Sequence, residues 1–212
     1  MGSNFIAMIG YYIASPLNLL ASLLPEKYLL TTMALLIMTK ISAGSLFTGI
    51  FLKSVFRRND LSLVAFGSCY SFCSFMMGYY WNVIWLDAVS LLPLIALGVY
   101  SIVYRKKYRL FIVSLAVAMI ANYYIGYMLC LFTLFWFFIL WLKYPKTKNM
   151  RTIFLKSLMS MAGYSAIAIA LSAFIVLPSY LQLQNTVASN DVFPKQMEFY
   201  NSFFDIDRKS VV

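Results

Sequence analysis

The chain has 212 residues, of which 62% are hydrophobic and only 11% are charged. A soluble domain is about half apolar and about a quarter charged. This composition therefore excludes a soluble enzyme, a disordered chain, a disulfide scaffold and a collagen-like protein. The class that remains is an integral membrane protein with an all-α, polytopic fold.

The formal charge is +10, and the chain contains no histidine. Histidine bases and histidine metal ligands are thus excluded. The basic residues form clusters between apolar runs, which predicts contact with lipid headgroups and no role in binding nucleic acid. Three cysteines lie inside apolar runs (Cys69, Cys73 and Cys130). They are expected to pack against other apolar groups and not to bind zinc.

Charged residues divide the chain into apolar runs of about the length that crosses a bilayer. Residues 5–24 are apolar but interrupted by Ser15-Pro16 and Asn18. They are expected to form a broken helix in the outer interface, with a true span as the alternative. The single spans predicted next are 28–52, 61–78, 88–104 and 157–178, with an external turn at 79–87.

The run 110–142 is too long for one span, since 33 helical residues would extend about 50 Å and the hydrocarbon core is about 30 Å thick. The stretch Asn122-Tyr123-Tyr124-Ile125-Gly126 supplies a polar, glycine-containing break. Two helices are predicted, 110–122 and 126–142. The first is short, which implies tilt or a thinned bilayer. The bundle then has about six spans plus the interfacial broken helix.

Orientation follows from the distribution of Lys and Arg, which are enriched on the cytoplasmic side of membranes. Three clusters are assigned to the cytoplasm: Lys53, Arg57 and Arg58; Arg105, Lys106, Lys107 and Arg109; Lys143, Lys146, Lys148, Arg151 and Lys156. The turns near residues 82 and 122 are then predicted to face out of the cell.

Lys40 lies near the middle of the span 28–52. A charge at that depth is costly and normally faces a bundle interior or a watery cavity beside an anion. It could pair with a carboxylate or a helix C-terminus as a structural residue. No acid is expected at its depth in this chain, which favours a functional role in which it contacts a ligand phosphate.

Asp87 ends the segment from Gly78 to Leu86 and precedes an apolar run. In that position an aspartate commonly serves as a helix N-cap. The functional alternative is a catalytic carboxylate at the outer membrane face, able to hold a divalent cation or to hydrogen-bond a sugar.

Two aromatic groups are predicted at the outer face. Their members are Tyr79, Tyr80, Trp81 and Trp85, and then Tyr123, Tyr124 and Tyr127. Interfacial belts of Trp and Tyr are common in membrane proteins. The alternative is a platform for a sugar or a polyprenyl chain. Asn82 and Asn122 lie beside these rings and could add amide hydrogen bonds.

At these residues the chain resembles the bacterial YfhO membrane proteins. The specific stretches are Trp81-Asn82-Val83-Ile84-Trp85-Leu86-Asp87 and Asn122-Tyr123-Tyr124-Ile125-Gly126-Tyr127-Met128. The others are Gly2-Ser3-Asn4-Phe5, the stretch from Tyr11 to Asn18, and Lys40-Ile41.

The resemblance implies a GT-C-like fold in the bacterial cell membrane and transfer of a sugar from a polyprenyl-phosphate carrier to an extracellular acceptor such as lipoteichoic acid. It implies that Asp87 is a catalytic acid and that Lys40 contacts the carrier phosphate. Substrate contacts are expected from Trp81, Asn82, Trp85, Asn122, Tyr123 and Tyr124.

Family members begin with an earlier span and an acidic external loop. Residues 1–206 are therefore expected to be one transmembrane domain of a longer protein, inactive alone. Residues 207–212 are expected to be a non-native tail. A transporter or flippase for a lipid-linked substrate, and a structural membrane subunit, remain as alternatives.

Overall fold

The computed structural model describes residues 15, 17–18, 25–145 and 150–184. All regular structure in these ranges is helical, which confirms the all-α fold. After a 3₁₀ turn at Glu26–Tyr28 come α1 (Leu29–Phe56), α2 (Ser62–Ser71), α3 (Ser74–Gly78), α4 (Val83–Tyr100), a π-helical turn (Ser101–Arg105), α5 (Arg109–Ala121), α6 (Tyr123–Leu142) and α7 (Met150–Gln184). The predicted tail 207–212 and most of segment 5–24 lie outside the described residues.

Four helical stretches in the described part of the chain are long and apolar enough to cross a membrane: Leu29–Phe56, Val83–Arg105, Tyr123–Leu142 and Met150–Leu181. Two more are apolar but shorter, Ser62–Gly78 and Arg109–Ala121. Every predicted span therefore corresponds to helical structure. Four of the six meet the length criterion, and the chain is a multi-pass membrane protein.

Several predicted boundaries differ from the structure. Helix α4 begins at Val83, so Asp87 lies inside the helix and neither closes an external turn nor caps the helix. The predicted span 61–78 is interrupted at Phe72 and Cys73, between α2 and α3. In the predicted hairpin the break is Asn122 alone, and Gly126 lies inside α6.

Helix α4 is the centre of the bundle and packs against α1, α5 and α6. Its closest neighbour is α5, because a Cβ atom added at Gly98 would lie 2.6 Å from the Cα of Phe111. Trp136 of α6 donates its indole N–H to the carbonyl of Ala96 at 3.1 Å. The position of α4 thus depends on contacts with three other helices.

Pro93 interrupts the hydrogen bonding of α4. Proline has no N–H, so the carbonyl four residues earlier, that of Val89, lacks its helical donor. The hydroxyl of Tyr70 on α2 donates to this carbonyl at 2.6 Å. In an apolar bundle an unpaired carbonyl is costly, so this bond ties α2 to α4.

The helices give the bundle two ends. The outer end is the one where α4 begins at Val83 and where α5 meets α6 at Asn122. The basic end is the one where α4 and its π-helical turn finish at Arg105 and α5 begins at Arg109. These names follow the predicted orientation, and the short connections make α4, α5 and α6 antiparallel in turn.

Candidate functional site at the outer end

Lys40 is one of the most deeply buried residues, with 1% of its surface exposed. Its ammonium nitrogen lies 2.7 Å from Oδ2 of Asp87 on α4 and 2.7 Å from Oδ1 of Asn18. It also lies 3.0 Å from the carbonyl oxygen of Val83. An ammonium group has three N–H donors, so each of its hydrogens has an oxygen acceptor from the protein.

The expectation that no acid lies at the depth of Lys40 is wrong. Because α4 begins at Val83, Asp87 lies about 6 Å inside that helix. Side chains on a helix lean toward its N-terminus, and the N-terminus of α1 is at the outer end. The ammonium of Lys40 therefore meets the carboxylate although their backbone positions differ in depth.

Hydroxyl groups fix the backbone around Lys40. Ser90 of α4 donates to the carbonyl oxygen of Lys40 at 2.7 Å. Ser71 of α2 donates to the carbonyl oxygen of Ile41, also at 2.7 Å. These two bonds join α1 to both of its neighbours at the level of the ion pair, so the pair is held on three connected helices.

Among the residues that the structure describes, one carboxylate oxygen of Asp87 has a protein partner. Oδ2 accepts from Lys40, whereas Oδ1 accepts no hydrogen bond from the described residues. The Asp87 side chain keeps 8% of its surface exposed, compared with 0% for the Lys40 side chain. The arrangement can thus hold Asp87 as a carboxylate while leaving one oxygen to accept a proton or a hydrogen bond.

A divalent cation at Asp87 fits this donor set poorly. The three oxygens that could form a cation site, those of Asn18, Val83 and Asp87, already surround the ammonium of Lys40. A metal ion would have to displace that charge. No group of three or more His, Cys, Asp or Glu residues is brought together in the described ranges, and we derive no step through a metal.

Three members of the first aromatic group, Tyr79, Trp81 and Trp85, lie close together at the outer end. The ring centroid of Tyr79 lies 5.8 Å from that of Trp85 and 6.3 Å from that of Trp81. The indole N–H of Trp81 donates to the carbonyl of Gly78 at 3.1 Å, and the Trp81 ring is 65% exposed. The indole nitrogen of Trp85 is buried without a partner among the described residues.

Asn82 stands at the N-cap position of α4, where Asp87 was expected. Its side chain forms no capping hydrogen bond. It is half-buried and lies five residues before Asp87 along the chain. The amide is therefore available near the beginning of the helix that carries Asp87.

The second polar and aromatic group is built where α5 meets α6. Asn122 is fully buried, and its Oδ1 accepts from the backbone N–H of Ile125 at 3.0 Å. This bond caps α6, as expected for asparagine at a helix start. Its Nδ2 has no partner in the part of the chain that the structure describes.

A cavity of about 260 Å³ adjoins this junction and has an almost wholly apolar lining. The cavity is lined by Met119, Tyr123, Tyr124, Tyr127, Val176 and Tyr180. Three of these tyrosines, Tyr123, Tyr124 and Tyr127, were predicted from the sequence. The two predicted groups therefore lie at one end of the bundle but on different elements, the first in the segment between α3 and α4 and at the start of α4, and the second on α6.

Sequence reasoning assigned no role to several residues of this region. Asn18 was read only as an interruption, although it contacts Lys40. Tyr180 on α7 was not singled out, although it completes the tyrosine cavity. Polar residues inside otherwise apolar runs, such as Asn18, Ser71 and Ser90, are the feature that could have indicated these contacts.

Comparison with known proteins identifies a family. A family model described as bacterial membrane protein YfhO matches residues 1–212. Among curated proteins and among solved structures, nothing matches the chain.

Proposed function

Because the chain belongs to the YfhO family of bacterial membrane proteins, we propose that it takes part in transferring a sugar from a polyprenyl-phosphate carrier to an extracellular acceptor such as lipoteichoic acid. Membership implies a membrane protein of a glycosyltransferase-like family. The carrier, the acceptor and the residue roles are our proposal. The observation that carries it is the Asp87 carboxylate, which has one oxygen bonded to Lys40 and the other without a partner among the described residues.

In this proposal Asp87 is the catalytic base. Its Oδ1 accepts the proton of an acceptor hydroxyl as the hydroxyl oxygen forms a bond to the anomeric carbon of the sugar. The bond between that carbon and the carrier phosphate breaks, and polyprenyl phosphate leaves. A positioned general base contributes about 10²- to 10⁴-fold to such a reaction.

Lys40 acts as a positioning residue for Asp87. Its ammonium is fully enclosed and hydrogen-bonded by protein oxygens, so it orients the carboxylate. The earlier expectation that Lys40 contacts the carrier phosphate requires it to exchange one of these bonds, and it remains a separate prediction.

The remaining predicted residues supply binding surface. Trp81, Trp85 and Asn82 adjoin the Asp87 side of the outer end, and aromatic faces with nearby amides suit a sugar ring. The tyrosine cavity, which includes Tyr123 and Tyr124, suits the apolar chain of the carrier. Nδ2 of Asn122 and Nε1 of Trp85, which have no partner among the described residues, are donors that a sugar or phosphate oxygen could use.

The deciding experiment compares Asp87→Asn with Asp60→Asn in the full-length protein reconstituted in membranes. Asp60 is an exposed aspartate in the segment between α1 and α2, so its variant controls for loss of one acidic charge. We expect Asp87→Asn to lower sugar transfer at least about 100-fold, measured per amount of folded protein, and Asp60→Asn to retain it. Full transfer by Asp87→Asn would remove the residue from the reaction.

Transport of a lipid-linked substrate is the second candidate. It is supported by the interruption between α2 and α3 and by the buried charge of Lys40, since broken helices and intramembrane charges are common at transport sites. Movement of a labelled polyprenyl-phosphate sugar across vesicles, with no transfer to an acceptor, would favour it. Activity that survives substitution of both Lys40 and Asp87 would favour a structural subunit.

A further inference from the structure

A polar cavity lies at the basic end, at the opposite end of the bundle from the site described above. It has a volume of about 410 Å³, which is within the range of ligand pockets in proteins. One wall is the end of the π-helical turn that follows α4, with Ile102 and Lys106. The other wall is one face of α7, with Ile153, Lys156, Ser157, Ser160 and Tyr164.

Neither lysine of this cavity has a carboxylate partner among the described residues. The ion pairs in the described ranges are Lys40 with Asp87 and Arg58 with Asp60. The neighbouring Arg105, in contrast, is engaged, because it donates to the carbonyl of Ser54 at 2.7 Å. Lys106 and Lys156 therefore place two positive charges around one cavity with no acidic residue in its lining.

The two serines of the cavity also differ from three other helical serines of the chain. Ser114, Ser172 and Ser179 each donate to a carbonyl of their own helix. Ser157 and Ser160 make no such bond in the described structure and line the cavity instead. Serine hydroxyls in helices commonly bond back to the preceding turn, so these two donors remain available to a ligand.

The backbone places Lys106 at the cavity mouth. The wider π-helical turn Ser101–Arg105 ends α4, and Lys106 follows in the left-handed region with φ of 54°. Such turns are frequent at functional sites. On the facing helix, Lys156 lies about 9 Å from the start of α7 at Met150. This is near the membrane interface, where lipid phosphates lie.

We propose that this cavity, between Lys106 on one side and Lys156, Ser157 and Ser160 on the other, binds a phosphate group. Two ammonium groups with adjacent hydroxyl donors suit a phosphate, and basic pockets between transmembrane helices on the cytoplasmic side bind anionic headgroups. The phosphate belongs either to an anionic lipid such as phosphatidylglycerol or to a free anion. The proposal is independent of sugar transfer at the outer end.

The test measures phosphatidylglycerol retained by the full chain in phosphatidylcholine nanodiscs, using lipid analysis by mass spectrometry. The double variant Lys106→Gln/Lys156→Gln is compared with the control double variant Lys107→Gln/Arg151→Gln. The control pair removes the same charge near the basic end from residues outside the cavity lining. We expect affinity to fall about fivefold for each cavity lysine lost and to change little in the control pair.

Equal losses in the two double variants would overturn the proposal, since they would indicate only general attraction to the charged face. Ser160→Phe fills the cavity without changing charge and should also weaken binding, which keeps the test independent of lysine substitution. Inorganic phosphate is the second probe. If inorganic phosphate competes with phosphatidylglycerol, the cavity is a site for a free phosphate group. If only the lipid binds, the cavity is a headgroup site.

Discussion

The ammonium of Lys40 lies 2.7 Å from Oδ2 of Asp87, although 47 positions separate the two residues along the chain. Each charge alone is costly inside a membrane bundle, and removal of one partner leaves the other unpaired. Together they join α1 to α4 at the level of the candidate site. The pair thus stabilises the contact between α1 and α4, and in our proposal its carboxylate is also the catalytic group.

A stability cycle tests the pair as a unit. Lys40→Met or Asp87→Leu alone should lower the free energy of unfolding by about 3–5 kcal/mol, because an uncompensated charge remains buried. The double variant should lose less than either single variant. Thermal unfolding of the purified protein in detergent measures this coupling, and additive losses would show that the two charges do not depend on each other.

Lys40→Gln separates a positioning role from contact with the carrier. The enclosed ammonium predicts that kcat falls while KM for the polyprenyl-phosphate sugar stays the same, because only the orientation of Asp87 is disturbed. Steady-state kinetics at varied carrier concentration provide the measurement. A raised KM with unchanged kcat would instead place Lys40 against the carrier phosphate.

Tyr70→Phe removes the donor that pairs with the carbonyl of Val89. We expect a loss of about 1 kcal/mol in unfolding free energy, typical of hydrogen bonds in membrane proteins. In a Pro93→Ala background the restored N–H of residue 93 serves that carbonyl, so Tyr70→Phe should cost less. An equal cost in both backgrounds would contradict the assignment of this bond to the proline.

Gly98→Ala tests the close approach of α4 and α5. The new Cβ would meet the backbone of Phe111, so the helices must separate, with an expected loss of about 1–3 kcal/mol. Gly163→Ala on α7 is the matched control, because nothing lies within 4 Å of its added Cβ. Thermal unfolding should show a large shift for the first variant and little or none for the second.

Tyr180→Ala tests the tyrosine cavity as the binding place of the carrier chain. Loss of one ring should raise KM for the carrier about three- to tenfold, consistent with the contribution of an aromatic contact. Tyr28→Ala is the control. Tyr28 is about as exposed as Tyr180, at 53% and 56%, but it does not line the cavity. The same KM for both variants would exclude the cavity from carrier binding.

The helix positions could be predicted because a span must be apolar and about as long as the bilayer is thick, and charges mark where it ends. The division of the run 110–142 at Asn122 follows from length, and the structure places the break at that residue. The start of α4 was predicted too late. Asp87 was treated as a boundary since it is charged, but a carboxylate paired with a buried lysine can lie inside a helix.

The contacts of the candidate site were less predictable than its residue types. The sequence indicated Lys40 and Asp87 separately, but their pairing depends on the start of α4 and on the direction in which side chains lean. Asn18 and Tyr180 reach the outer end from distant parts of the chain. Such contacts depend on how helices pack side by side, which hydropathy does not encode.

The carbonyl of Val89, which has no helical donor because residue 93 is proline, has a consequence for how the protein is synthesised. Helix α4 carries both this carbonyl and the charge of Asp87, so it is poorly suited to enter the bilayer by itself. The groups that compensate for them, Tyr70 and Lys40, belong to helices synthesised earlier. The order of translation therefore supplies α4 with both partners before it leaves the ribosome.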